Sequence, residues 1–249
     1  MIKRFFYSFA FLVTLMSMEV NARAAGPWSL DTEVLFLQLN TSIGTRDNNV
    51  FGYDPAPRYT LSYTTANNVG LRFKHFSYDR IGVDPGVSRI RLDMYNADLE
   101  LFKKLNFSNS TSLDISGGIR YNDSEVSFPT VFEPNDFNGI GLILGMKGMT
   151  RVFTGGDIYA RGAFAMLVGD GRHDSNALSA VRPANDIGRT HTEIAIGYQH
   201  SLEYDRITLI PHAGFEFQNL SGYQIDVVDE HPEGDFMLSG FSIGLTGKF

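Results

Sequence analysis

The chain has 249 residues, 43% of them hydrophobic, with 21 basic and 28 acidic residues and no cysteine. A net charge of −7 argues against a nucleic-acid binder, which needs clustered Lys and Arg against phosphate. The missing cysteines exclude a disulfide scaffold and thiolate metal centres.

The amino terminus reads as an export signal. Lys3 and Arg4 precede an apolar stretch, Phe5–Met18, and Ala22-Arg23-Ala24 offers the small residues a signal peptidase recognises. The apolar stretch is shorter than the roughly 18–20 residues of a spanning helix. The expected division is therefore a signal peptide, residues 1–24, and one outer-membrane β-barrel domain, residues 25–249. Loss of Lys3, Arg4, Arg23 and Glu19 leaves 18 basic against 27 acidic residues, a net of −9. No mature segment is a long apolar run, so a membrane protein of this composition must satisfy its backbone polar groups in a closed barrel.

In chain order, ten strands are predicted: Trp28–Gln38, Arg58–Thr65, Val69–Tyr78, Arg89–Phe102, Thr111–Asn122, Asp136–Lys147, Gly156–Val168, Arg189–His200, Asp205–Gln218 and Asp235–Phe249. The gaps between them alternate. Leu39–Ala56, Asp79–Val87, Asp123–Asn135, Gly169–Ile187 and Asn219–Gly234 are the longer loops. Ala66–Asn68, Lys103–Ser110, Gly148–Gly155 and Ser201–Tyr204 are the shorter turns. An even number of strands with long outer loops and short periplasmic turns predicts an all-β fold, a transmembrane antiparallel up-and-down β-barrel of about ten strands.

Alternation with a period of two assigns the faces. Val69, Leu71 and Phe73 oppose Gly70, Arg72 and Lys74. Leu113, Ile115, Ile119 and Tyr121 oppose Asp114, Ser116, Gly118 and Arg120. Ile140, Leu142, Leu144 and Met146 oppose Gly139, Gly141, Ile143 and Gly145. Ile194, Ile196 and Tyr198 oppose Glu193 and Gln199, Phe215 and Phe217 oppose Glu216, and Phe241, Ile243 and Leu245 oppose Ser242, Gly244 and Thr246. Lys or Arg facing hydrocarbon at the midplane costs about 2–4 kcal/mol, which places the charged set inside. Strand four changes parity between Met94 and Tyr95, so a β-bulge is expected there. Strand one is mixed, and its parity alone does not assign its faces. Trp28, Tyr59, Tyr78, Tyr121, Phe137, Tyr159, Phe215 and Phe236 are expected to form girdles at the two membrane interfaces.

The closing strand, ending on Phe249, resembles the last strand of bacterial outer-membrane barrels, in which a terminal Phe is the signal for the insertion machinery. Gly118-Ile119-Arg120-Tyr121, the glycine-rich run from Asn138 to Gly145, the opening Trp28–Gln38 and the ending Ser239–Leu245 resemble the pore-forming outer-membrane family typified by the Legionella major outer membrane protein. The resemblance implies a barrel that forms or lines a pore, surface attachment for some members, and no catalytic residue.

Other chemistry is poorly supported. Gly139-x-Gly141-x-x-x-Gly145 has the wrong spacing for a dinucleotide fingerprint and reads as space left for long side chains. The six histidines, His75, His173, His191, His200, His212 and His231, show no metal-ligand spacing. His173-Asp174 is similar to the Asp and His of ten-stranded outer-membrane proteases, yet neighbouring residues on a strand point apart. Asp226, Asp229, Glu230, Glu233 and Asp235 crowd one loop and read as solvated rather than as a cation site.

The expected protein is a non-enzyme with no cofactor, no metal and no catalytic residue. Its expected job is passive passage of small solutes or ions through a narrow polar lumen lined by Arg72, Lys74, Asp114, Arg120, Arg161, Glu193 and Glu216. The alternative is a structural or adhesive surface barrel acting through its outer loops, and less favoured is an outer-membrane protease or lipid-modifying enzyme. The expected surroundings are outer-membrane lipids, lipopolysaccharide and the barrel assembly machinery acting on Phe249. No nucleic acid is expected, and self-association of barrels is left open.

Overall fold

Period-two alternation builds strands because it gives each face of the pleat one environment. A computed structural model describes residues 28–41, 48–49, 52–84, 87–127, 135–175, 180–205, 207–224 and 233–249. The predicted signal peptide lies outside the described residues. The long strands are β1 (Trp28–Thr41), β2 (Asp54–Thr64), β3 (Val69–Asp84), β4 (Val87–Asn106), β5 (Thr111–Ser127), β6 (Asn135–Phe153), β7 (Gly156–Ser175), β8 (Ala180–His200), β9 (Thr208–Gln224) and β10 (Glu233–Lys248). Two-residue strands, Asn48–Asn49 and Leu202–Glu203, flank β1 and β9.

Each long strand pairs antiparallel with its chain neighbours. β10 then pairs with β1 from Ser29↔Lys248 to Thr41↔Phe236, closing a ten-stranded barrel with no free edge. Phe249 N donates to Trp28 O at 3.1 Å and Trp28 N to Phe249 O at 3.3 Å, so the two ends of the barrel chain are tied together. The tight turns at this end are sharp: Asn68 adopts φ 60° and Gly155 φ 77°, a left-handed conformation suited to Asn and Gly. Short turns and termini share this end, which is the periplasmic one in outer-membrane barrels.

The outward face carries the predicted apolar set. Leu144 is 64% exposed and Ile196 59%, with Leu71, Phe73, Ile243 and their neighbours alongside, a band suited to lipid. Above it runs an aromatic belt on β2 to β6. Tyr59 and His75 lie 6.0 Å apart between ring centroids, His75 and Tyr95 5.0 Å, and Tyr95 and Tyr121 6.1 Å; Asn138 Nδ2 donates to Tyr121 Oη at 2.8 Å. Beyond that belt the same face becomes charged, with Arg91 holding Asp79 through contacts of 2.9 and 3.1 Å. A lower belt includes Trp28 against Tyr63 at 5.0 Å and Phe153 against Tyr198 at 5.7 Å. Half of the predicted girdle is therefore reassigned. Tyr78, Phe137, Tyr159 and Phe236 are buried inside the barrel.

The expected bulge at Met94-Tyr95 does not form. The β3–β4 register runs unbroken from Val69↔Lys103 to Val83↔Arg89, and the β4–β5 register is continuous. Leu92, Met94, Asn96, Asp98, Glu100 and Phe102 all point inward. What changes along β4 is the chemistry of the interior, not the parity. The outer half of the lumen is packed with Leu35, Leu37, Leu39, Phe76, Tyr78, Leu92, Met94, Leu220, Phe236 and Leu238, and a second cluster holds Phe137, Ile143, Ala165 and Leu167. The same layering resolves strand one. Glu33 and Leu35, Leu37 and Leu39 share the inward face, while Phe36 faces out.

Several predicted outer loops are also largely strand. Gly169–Ile187, expected as the longest loop, continues the β7–β8 ladder as far as Ser175↔Ala180. The sequence of this stretch lacks period-two alternation while its backbone pairing persists.

Truncating Leu37, which is fully buried, to Ala should lower stability by about 2–5 kcal/mol. Leu144→Arg on the lipid face should cost about 2–4 kcal/mol. Urea titration of the refolded protein in lipid vesicles, followed by the mobility shift between folded and heat-denatured forms, measures both.

Candidate functional site

Between the outer apolar packing and the periplasmic mouth lies a layer of charge. All seven residues predicted from the sequence to face the lumen point inward: Arg72 and Lys74 from β3, Asp114 and Arg120 from β5, Arg161 from β7, Glu193 from β8 and Glu216 from β9. Lys74 Nζ meets Glu100 Oε1 at 2.5 Å. Arg72 reaches Glu100 at 3.9 Å and Asp114 at 3.8 Å.

The deeper contacts cross the lumen. Arg58 on β2 grips Glu216 on β9 through both guanidinium nitrogens and touches Glu33 at 3.1 Å and Glu193 at 3.8 Å. Arg161, four strands away from β1 around the wall, meets Glu33 at 3.0 Å and Glu216 at 2.5 Å. Arg120 holds Asp98 by a two-pronged contact, 2.7 Å on each arm, and Glu193 at 2.6 Å. Buried charges are tolerated only when paired and hydrogen-bonded, and here each cation meets carboxylates from distant strands.

Arg120 Nη1 also lies 2.8 Å from His191 Nδ1. A guanidinium cannot accept, so Nδ1 must. The imidazole proton then sits on Nε2 and is donated to Gln218 Oε1 at 3.3 Å. Gln218 Nε2 in turn donates to Glu216 at 2.6 Å, which joins the two halves of the network.

Sequence reasoning missed Glu33, Arg58, Asp98, Glu100, His191 and Gln218. The signal existed as register: Glu33↔Arg58, Arg72↔Glu100, Lys74↔Asp98 and Asp98↔Arg120 are directly opposed opposite charges. The unresolved strand one and the misplaced bulge hid the faces of Glu33, Asp98 and Glu100.

Small residues make room for the charge. At Gly145 a Cβ would lie 2.6 Å from Ser116 Oγ and 3.5 Å from Glu100 Oε2. The Tyr159 ring covers Gly197 and its hydroxyl lies over Gly214, while the His212 ring covers Gly244. His212 Nε2 is also 2.8 Å from Asp31 Oδ1.

Below the ionic layer a vestibule of about 570 Å³ opens between the periplasmic turns. Arg72, Lys74, Asp114, Arg161 and Glu193 line it, whereas Arg120 and Glu216 are buried above. The backbone at His173-Asp174 forms part of the β7–β8 ladder, pairing with Arg182 and Val181; the side chains lie outside the description. Asp226, Asp229 and Glu230 lie outside the described residues, and Glu233 and Asp235 begin β10.

Glu216→Ala would leave Arg58 and Arg161 short of a partner. It should lower stability by about 3–5 kcal/mol, whereas Glu203→Ala at the exposed periplasmic turn should stay within about 0.5 kcal/mol. The same urea titration distinguishes them.

The solved structures resembling this one are outer-membrane barrels. The outer-membrane protease OmpT from Escherichia coli superposes with a TM-score of 0.54 at 10% identity, over 93% of this chain and 99% of that one. The translocator domain of the autotransporter NalP from Neisseria meningitidis gives 0.47 at 11% identity, over 95% and 92% of the two chains. At such identities the likeness is one of fold, and OmpT's proteolysis does not carry over. No curated protein matches the chain in sequence. The family described as Legionella pneumophila major outer membrane protein precursor matches residues 22–249, a span that takes in every strand and the whole charged layer. With its closed ten-stranded wall and lipid-facing band, the chain belongs to that family and is an integral protein of the bacterial outer membrane.

Proposed function

We propose that this barrel works at the cell surface through the hairpins that rise above its outer aromatic belt, with its lumen sealed at rest. The observation that carries this reading is the crossing of the lumen by Arg58 and Arg161 to Glu33, Glu193 and Glu216. Fully buried Leu35, Leu37, Met94 and Leu238 lie above that crossing. Strand number agrees, since side chains just fill an eight-stranded barrel and wide aqueous channels need 16–18 strands. Hairpin length supports the surface role. β7 and β8 have 20 and 21 residues, where about 9–11 cross a bilayer. Lipopolysaccharide is then the neighbour of the outer belt, and Phe249 the signal for the barrel assembly machinery.

A second reading, passive passage of small solutes or ions, is favoured by the polar vestibule that Arg72, Lys74, Asp114, Arg161 and Glu193 line. On that reading the ionic layer is a gate rather than a seal.

Planar-bilayer recording separates the two. The sealed barrel should give traces at membrane background under moderate voltage. Steady ohmic conductance would overturn it, and Arg161→Glu should then shift the reversal potential. On cells, replacing residues 171–184 by a short turn should keep the folded-form gel mobility and reduce attachment to surfaces. Unchanged attachment would remove this hairpin from the function.

A further inference from the structure

The periplasmic vestibule has an electrostatic character at odds with the chain around it. The whole sequence carries a net charge of −7, yet the lower vestibule wall presents Arg72, Lys104, Lys147, Arg151 and Lys248 against Asp31, Asp114 and Asp157. The deeper cations are already engaged. Arg58 and Arg161 are held by Glu33 and Glu216. Arg151 has Asp157 at 3.6 Å.

The lysines differ. Among the described residues, no carboxylate lies within 4.0 Å of the Nζ of Lys104, Lys147 or Lys248. Lys147 Nζ instead approaches Gln199 Oε1 at 3.3 Å and stands 4.8 Å from the centre of the Tyr159 ring. Two of the nearby acids are already in contact with other groups: Asp31 with His212 at 2.8 Å and Thr246 at 3.0 Å, and Asp157 with Arg151. Asp114 is the competitor. It is opposed in register to both Lys104 and Lys147, and its Oδ2 lies 3.8 Å from Arg72. Hydroxyls from Ser29, Thr60, Thr64 and Ser112 add donors to the same wall.

We propose that this vestibule is a periplasm-facing binding site for a multiply charged oxyanion of small-ligand size, held by Lys104, Lys147 and Lys248. A cavity of about 570 Å³ falls in the range of small-ligand sites. Charge-assisted bonds from ammonium groups that no carboxylate holds within 4.0 Å, together with nearby hydroxyls, suit phosphate or carboxylate oxygens. Asp114 opposes the ligand and sets an upper limit to its affinity. The inference concerns the periplasmic mouth and goes beyond the surface role of the hairpins.

The test is calorimetric titration of the full-length refolded protein in a neutral detergent with inorganic tripolyphosphate, and in parallel with citrate. Saturable one-to-one binding that weakens with added salt is expected. Binding of tripolyphosphate alone assigns a phosphate site, and binding of both assigns a general oxyanion site. The double variant Lys104→Gln, Lys248→Gln should weaken binding about ten- to a hundredfold. Asp114→Asn should tighten it, a response that loss of folding cannot mimic. Lys104→Arg with Lys248→Arg should retain binding, and gel mobility reports folding of every variant. No saturable heat with either anion, affinity unchanged in the Gln double variant, or weaker binding in folded Asp114→Asn would overturn the proposal.

Discussion

The interior of this barrel depends on one constraint: a cylinder of ten strands leaves a space that side chains must fill, and charge inside it must find charge. Arg58 and Arg161 meet that constraint by reaching across the lumen rather than along the wall. Their partners Glu33 and Glu216 come from β1 and β9, so the network braces the closure made by β10 and β1. Backbone hydrogen bonds close the wall, and ion pairs fix the distance between its opposite sides.

The same constraint explains the glycines and the aromatics within. A bulky guanidinium or ring on one strand requires a small residue on another. Gly145 lies beside Glu100, and Gly197 and Gly214 lie beneath Tyr159. The buried aromatics are thus packing elements of the interior. The membrane belts are made by another set, with Tyr59, His75, Tyr95 and Tyr121 following one another around the wall.

Strand number, closure, compartment and the lipid-facing set were legible because lipid imposes an apolar rule on one face that alternation reveals. The inner face obeys no single rule. In its lower half it is charged, so Arg72, Lys74, Arg120 and Glu193 stood out by parity. In its upper half it is mostly apolar, interrupted by buried Asn96, Asn122, Ser124 and Arg189, so Leu92 and Met94 looked like a change of face and Leu35 and Leu37 could not be assigned. Pairing across a lumen between strands distant in the sheet leaves no local pattern. Glu33 with Arg161 and Arg58 with Glu193 are contacts of the closed barrel alone. The outer hairpins were shortened for a related reason, since alternation ends at the membrane surface while the ladder continues.

Pairing in the charged interior tracks dehydration. Glu33 and Glu216, each 1% exposed, have two guanidinium partners apiece, and Arg120, 2% exposed, has Asp98 and Glu193. Toward the periplasm, where Lys104 and Lys248 reach the mouth, water can hold an ammonium group and direct pairing lapses. The gradient runs from largely apolar packing at the outer end, through ion pairs that cross the lumen, to Lys104 and Lys248 at the periplasmic mouth. Arg189, stacked 4.2 Å over the Phe137 ring, is a buried cation of the outer layer, whereas Lys104 and Lys248 at the periplasmic end have no carboxylate within 4.0 Å among the described residues. Apolar packing above, ion pairs across the middle and lysines at the mouth follow one ordering of side chains along the barrel axis.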